Sequence, residues 1–236
     1  RVYLDGEQFG RCNAILRRLV ELDPDDAEDY LQQIAIIALE RQQPIQAREA
    51  LAELEELRSG QRTDEFAAGV LDMIGLHEEA AAAYEEVLEE YPDRIEVFLL
   101  WGNAMKAAGM QERAIGRFQV LTETAAEDDL FTVAIDGLLN LEAPPMVLAS
   151  ALRRVRERIA LKPDKVYLYR LAADLLDAMN RPGDERAVLE QGVVVAGERR
   201  GPMLRELMDS ANADGRTEET IRFGRSLLAL GDEVPP

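Results

Sequence analysis

A chain of 236 residues with 47% hydrophobic and 31% charged side chains has the make-up of a folded protein and excludes a disordered one. Ala, Leu, Glu and Arg dominate and aromatics are only 6%, a set of helix formers with little β-branched or aromatic material for sheets. Forty-six acids against 27 bases give a formal charge of −19, a field that repels phosphate backbones and anionic membranes and so argues against nucleic acid as a partner.

No run approaches the roughly 18 consecutive apolar residues of a membrane span, and the opening RVYLDGEQFG lacks the apolar core of a signal peptide. The first residue is Arg1, so the expectation is a piece of a longer protein, with the compartment left open between cytoplasm and periplasm. Cys12 is the only cysteine, which rules out an internal disulfide or a zinc site of several thiolates. Only Lys106, Lys162 and Lys165 are lysines; a GC-rich genome or a salt-adapted surface would each produce that bias.

The predicted elements all have one form, a pair of amphipathic helices. Phe9 to Pro24 reads as a second helix closing in Leu-Asp-Pro, with Cys12 at a small-residue position. Leu31-x2-Ile34-Ala35-x2-Ala38 and Ala47-x3-Leu51 follow, then Ala67-Ala68-x2-Leu71, Gly75, Ala80-x3-Tyr84 and Pro92. Next come Phe98-x2-Trp101-Gly102-x2-Met105, Gly109 and Ala114-x3-Phe118. Phe131-x2-Ala134-Ile135-x2-Leu138 is joined by the longer turn Leu-Glu-Ala-Pro-Pro to Ala151-x3-Val155 and Pro163. Tyr169-x2-Ala172-Ala173-x2-Leu176 turns at Asn180 to Gly183, and Leu204-x2-Leu207-Met208-x2-Ala211 turns at Gly215 toward a helix around Ile221 to Leu230.

Apolar residues at i, i+3, i+4 and i+7 mark one face of a helix. Glycines between paired helices suit a left-handed turn, and prolines after second helices end one helix or open the next. A shift of 34 residues lays Gly75 on Gly109, Ala80 on Ala114 and Tyr84 on Phe118.

These residues resemble the tetratricopeptide repeat, whose signature is W-x2-L-G-x2-Y, then A-x3-F, then Pro. The resemblance is of bacterial type and covers nearly the whole chain as about six and a half repeats: a partial one over 1–27, then 28–60, 61–94, 95–127, 128–165, 166–200 and 201–236. It implies an all-α fold, a right-handed α-α superhelix of antiparallel helical hairpins in one domain, because a single hairpin cannot bury its own apolar face.

Little in the sequence points to catalysis. His77, the only histidine, falls on a turn, and a metal site would need further nitrogen or sulfur ligands. Cys12 reads as an inert packed thiol, with no histidine in its repeat. Trp101, Tyr84 and Tyr169 follow the packing pattern. The acidic runs Glu53–Glu56 and Glu85–Glu90 lie on second helices, where solvated outer faces are the rule. No phosphate loop or nucleophile elbow appears, and neither a cofactor nor an enzyme activity is expected.

In the family the first helix of each hairpin lines a concave groove. Carried over repeat by repeat, the groove positions are Asp29, Gln32 and Ile36; Arg62, Glu65 and Asp72; Glu96, Asn103 and Lys106. Asp129 and Asp136 follow, then Tyr167, Arg170, Asp174 and Asp177, and finally Arg205, Asp209 and Asn212. Family members that grip an acidic C-terminal peptide use Lys, Arg and Asn across three repeats; here only Asn103 and Lys106 match, beside Glu65, Asp72 and Asp136. That departure argues against such a clamp. Acids at these positions either favour a basic or mixed partner by long-range attraction or merely reflect the −19 background.

The functional expectation is a non-catalytic protein-interaction scaffold holding a peptide or partner protein. The alternative is a scaffold of a bacterial envelope or exopolysaccharide synthesis and secretion complex, recruiting an enzyme or touching a cationic polymer. Self-association through the repeat ends is a further expectation, since a stack that starts inside a repeat exposes an apolar end.

Overall fold

Each segment with helical spacing is a helix. The computed structural model describes residues 6–57 and 61–232; Arg1 and the parts of the predicted repeats on 1–5, 58–60 and 233–236 lie outside the described residues. The helices are α1 Gly6–Leu22, α2 Ala27–Glu40, α3 Pro44–Glu56, α4 Gln61–Met73, α5 His77–Glu90, α6 Ile95–Ala107 and α7 Gln111–Thr124. They continue as α8 Asp128–Asn140, α9 Pro145–Leu161, α10 Val166–Ala178, α11 Pro182–Ala196, α12 Gly201–Ala213 and α13 Thr217–Asp232. Short 3-10 turns occupy Pro24–Asp26 and Gly197–Arg200. The fold class is therefore all-α, a helical repeat, with no strand among the described residues.

The turn inside each hairpin has one construction. One residue adopts a left-handed conformation: Gln42 (φ 56), Gly75 (φ 85), Gly109 (φ 75), Glu142 (φ 49), Asn180 (φ 55) or Gly215 (φ 70). The next N–H then donates to the carbonyl five residues back, as Leu76 to Leu71 (3.0 Å), Met110 to Met105 (2.8 Å), Ala143 to Leu138 (3.0 Å) and Arg181 to Leu176 (2.9 Å). This is the Schellman closure, which satisfies carbonyls that the helix end would leave bare. Three of the six positions carry a side chain where glycine would be unstrained.

The chain divides into two compact units, residues 1–114 and 115–236, with the boundary inside α7. In the first unit, Leu31, Ile34, Ala35 and Ala38 of α2 meet Ala47, Ala50, Leu51 and Leu54 of α3 and Val70 of α4 in one buried cluster. Trp101 and Met105 of α6 are buried as well. A fully buried Leu or Ile contributes about 1.5–3 kcal/mol, so this stripe carries much of the unit's stability.

In the second unit, Phe118, Phe131, Ile135 and Leu138 are buried around the start of α8, and Ala173, Leu189, Met203, Leu204, Leu207, Ala211 and Phe223 form a further cluster. Close approach is marked by Gly137, where a Cβ would fall 2.4 Å from the Phe118 ring. At Gly192 one would fall 2.6 Å from Met203 Sδ. Neither glycine could be replaced without displacing its neighbour.

Two side chains differ from the sequence reading. His77, expected as an exposed turn residue, opens α5, is half-buried, and its Nδ1 lies 2.7 Å from Asp72 Oδ1. Cys12 is a free thiol, half-buried on α1. No helix among the described residues is long and apolar enough to cross a membrane.

Candidate partner-binding surface

The predicted groove positions lie on first helices in both units, but their surroundings differ. In the first unit, Glu65 of α4 is bound by Arg94 (2.6 Å), which also donates to Glu96 at 2.7 Å. Arg94 caps the start of α6, placing its guanidinium between the two carboxylates. The arginine holds the Glu96 carboxyl below its ordinary value, together with the backbone N–H at the helix start, which is the larger cause. Asp72 faces His77, and Gln32 donates to Glu28 at 3.2 Å. Asp29, Ile36 and Asn103 are exposed, and Lys106 is half-buried. The side chain of Arg62 lies outside the described residues.

The second unit concentrates its positions. Asp129 and Asp136 of α8 and Tyr167, Arg170 and Asp174 of α10 line a single cleft of about 500 Å³, with Asp128, Thr132 and Leu171 completing the wall. Helix spacing accounts for this: 129, 132 and 136 share one face of α8, and 167, 170, 171 and 174 share one face of α10. Leu171 is buried and gives the cleft an apolar patch.

The carboxylates here are crowded. Burial raises the Asp136 carboxyl above its ordinary value, and the charge of Asp174 raises it further. Burial raises Asp174 too; Arg170 opposes that shift and Asp177 adds to it. Glu206 of α12 and Glu185 of α11 are likewise raised, first by burial and then by Asp174 and Asp177 among their neighbours. Arg170 offsets the shift at Asp174 and Glu206, and Arg186, itself paired with Asp214 and Glu219, offsets that at Glu185. Among the described residues no three His, Cys, Asp or Glu side chains converge as a metal site.

One wall is rigid. Arg158 of α9 stacks on Phe131, 3.8 Å from the ring centroid, and donates to Asp128 (3.1 Å) and to the Ala125 carbonyl. Lys162 donates to Asp128 at 2.9 Å, and this contact is the largest cause holding that carboxyl below its ordinary value. Tyr167 lies against Asp128; burial and then this carboxylate push its phenol up to about 12. Tyr167 therefore stays a neutral hydroxyl at the cleft mouth.

Glu185 and Glu206 were missed by the sequence reading. Glu206 adjoins the predicted Arg205, which is exposed together with Asp209 and Asn212, so the helix presents its acid one position on. Glu185 comes from a second helix, outside the first-helix pattern.

Residues 67–94, covering most of α4 and α5, match the family model described as tetratricopeptide repeat. That segment carries a tetratricopeptide repeat. The chain's fold is that of solved repeat proteins. The C-terminal part of a TPR repeat-containing protein from Cytophaga hutchinsonii is similar over 96% of this chain and 92% of that one, at 14% identity and a TM-score of 0.56. A tetratricopeptide repeat protein from Parabacteroides merdae aligns over 95% and 88% at 18% identity and a TM-score of 0.47. PilF of Pseudomonas aeruginosa aligns over 89% and 94% at 17% and 0.46. No curated protein matches the sequence.

Proposed function

We propose that this repeat chain is a non-catalytic scaffold that holds a partner protein through a segment carrying basic side chains, seated in the cleft between α8 and α10. The observation that supports this reading is the crowding of Asp136, Glu185 and Glu206 around Asp174, with Arg170 beside Asp174 and Glu206. Half-buried acids with raised pKa values are destabilised in the free protein and gain when a cation arrives. Leu171 offers an apolar contact beside them. Opposite charge also speeds encounter and excludes acidic competitors.

Fluorescence anisotropy with a labelled nonapeptide carrying three arginines tests the proposal. Wild type is expected to bind, more weakly as salt rises, and Asp136→Asn/Asp174→Asn to bind at least tenfold more weakly. Equal binding by the two proteins would overturn the reading. A cationic sugar polymer, as in an envelope or exopolysaccharide secretion complex, would meet the same carboxylates. Titration with chitosan oligomers separates that alternative, since a peptide site built on Leu171 and directed hydrogen bonds favours the peptide.

A further inference from the structure

The basic residues of this acidic chain are not evenly spread. The span 153–165 holds Arg153, Arg154, Arg156, Arg158, Lys162 and Lys165 against only Glu157 and Asp164. Arg158 and Lys162 are taken up by Asp128. Arg153 and Arg156 instead face outward on α9, in the row Ala149, Arg153, Arg156, Ala160 that successive helical turns bring into line. Beside this row is a groove of about 420 Å³, floored by Leu152 and rimmed by Arg181. Arg153 shares Glu157 with Arg154 (3.0 and 2.5 Å), Arg181 is 2.5 Å from Asp184, and Arg156 has no acidic partner among the described residues. Exposed pairs of this kind exchange partners at little cost.

The opposite face exists on α5. Glu79, Ala82, Glu86 and Glu89 are exposed in one row, with Glu90 at its edge. Negative charge is already in excess there: burial, then Glu90 and Glu86, raise the carboxyl of Asp64 on α4. Laid parallel, the two helices set Ala82 against Ala149, Glu86 against Arg153 and Glu89 against Arg156. Small residues at one end permit close approach, and two charge pairs fix the register.

We infer that the outer face of α9 is a docking surface for α5 of a second copy of this chain. The occupant is chosen by charge and spacing, since Ala82, Glu86 and Glu89 repeat the spacing of Ala149, Arg153 and Arg156 with opposite charge. Copies of a −19 chain repel at long range. At physiological salt the Debye length is about 8 Å, so that repulsion is largely screened while pairs in contact still act. The contact joins unlike faces and leaves one free at each end, so assembly is head-to-tail.

Two surface variants test this by sedimentation velocity at 0.1 M salt, with circular dichroism confirming their helix content. Wild type is expected to gain mass with concentration and to lose that gain at 0.5 M salt. Arg153→Ala/Arg156→Ala and Glu86→Ala/Glu89→Ala should each remain at the 26.4 kDa of one chain. Mixed one to one, they retain one good face each and should form a species of twice that mass and no larger. A wild type that stays monomeric at about 100 μM overturns the inference. So does a mixture that stays monomeric. Association that survives in both variants and strengthens with salt also overturns it, and points to apolar stacking through exposed side chains such as Leu22 and Leu228.

Discussion

In the first unit the first-helix acids Glu65, Asp72 and Glu96 each face a cationic or ring-nitrogen partner from their own unit, whereas in the second Asp136, Glu185 and Glu206 crowd around Asp174. Both units descend from one repeat pattern and both place acids on first helices. The difference comes from where an arginine falls. Arg94, at the start of α6, reaches back to Glu65; in the second unit Arg158 and Lys162, at the end of α9, are spent on Asp128. The comparison teaches that acids at like positions on first helices are left crowded only where neighbouring cations are engaged elsewhere.

The largest expected effect separates the two units by packing. Gly137→Ala should cost about 1–3 kcal/mol, because its Cβ meets the Phe118 ring at 2.4 Å. Gly69→Ala, on α4 of the first unit, meets only the Tyr84 hydroxyl at 3.5 Å and should stabilise by about 0.5–1 kcal/mol through helix propensity. Urea unfolding of both variants checks the opposite signs, and equal signs would break the packing half of the comparison.

The turns give a smaller effect. Gly75→Ala forces a side chain to φ 85 and should cost roughly 1–2 kcal/mol. Gln42→Gly relieves that strain in the first unit and should gain about 0.5–1 kcal/mol, read as a shift in thermal midpoint.

Arg94→Ala sharpens the electrostatic half of the comparison. It frees Glu65 and Glu96 and should give the first unit a weak affinity for the arginine peptide, several-fold below that of the second. Anisotropy in the Asp136→Asn/Asp174→Asn background isolates this gain.

The smallest effect is in pH dependence. Asp136 and Asp174 hold their protons more tightly folded than unfolded, so their contribution to stability is complete below the ordinary carboxylate pKa. It is lost as pH climbs through the raised values. Asp128 runs the other way: its contribution is present above the ordinary carboxylate pKa and disappears as pH falls through its lowered value. Carboxyl carbon NMR titration should place Asp136 and Asp174 above, and Asp128 below, the unfolded reference; a common midpoint for all three contradicts the account.

Much of the fold was legible because helical spacing and glycine or proline punctuation coincide. Gly75, Gly109 and Gly215 announce their turns, whereas Gln42 adopts the same left-handed backbone with no residue signal, because the Schellman bonds outweigh the strain. The cleft was half legible. Asp129, Asp136, Tyr167, Arg170 and Asp174 come from carrying over the first-helix positions of the family the chain resembles, and all line it. Glu185 and Glu206 come from other helices and enter only through packing between hairpins. Arg94 and Arg158 were illegible as partners of Glu65 and Asp128, because residues about 30 apart are joined by tertiary structure and not by any local spacing.

Backbone amide NMR of the wild-type chain during titration with the arginine nonapeptide tests the central claim most directly. The account predicts that shifts concentrate on α8 and α10, at Asp129, Asp136, Arg170 and Asp174, and saturate together. Shifts centred instead on Glu65, Asp72 and Glu96, or spread evenly over the acidic surface, would contradict it.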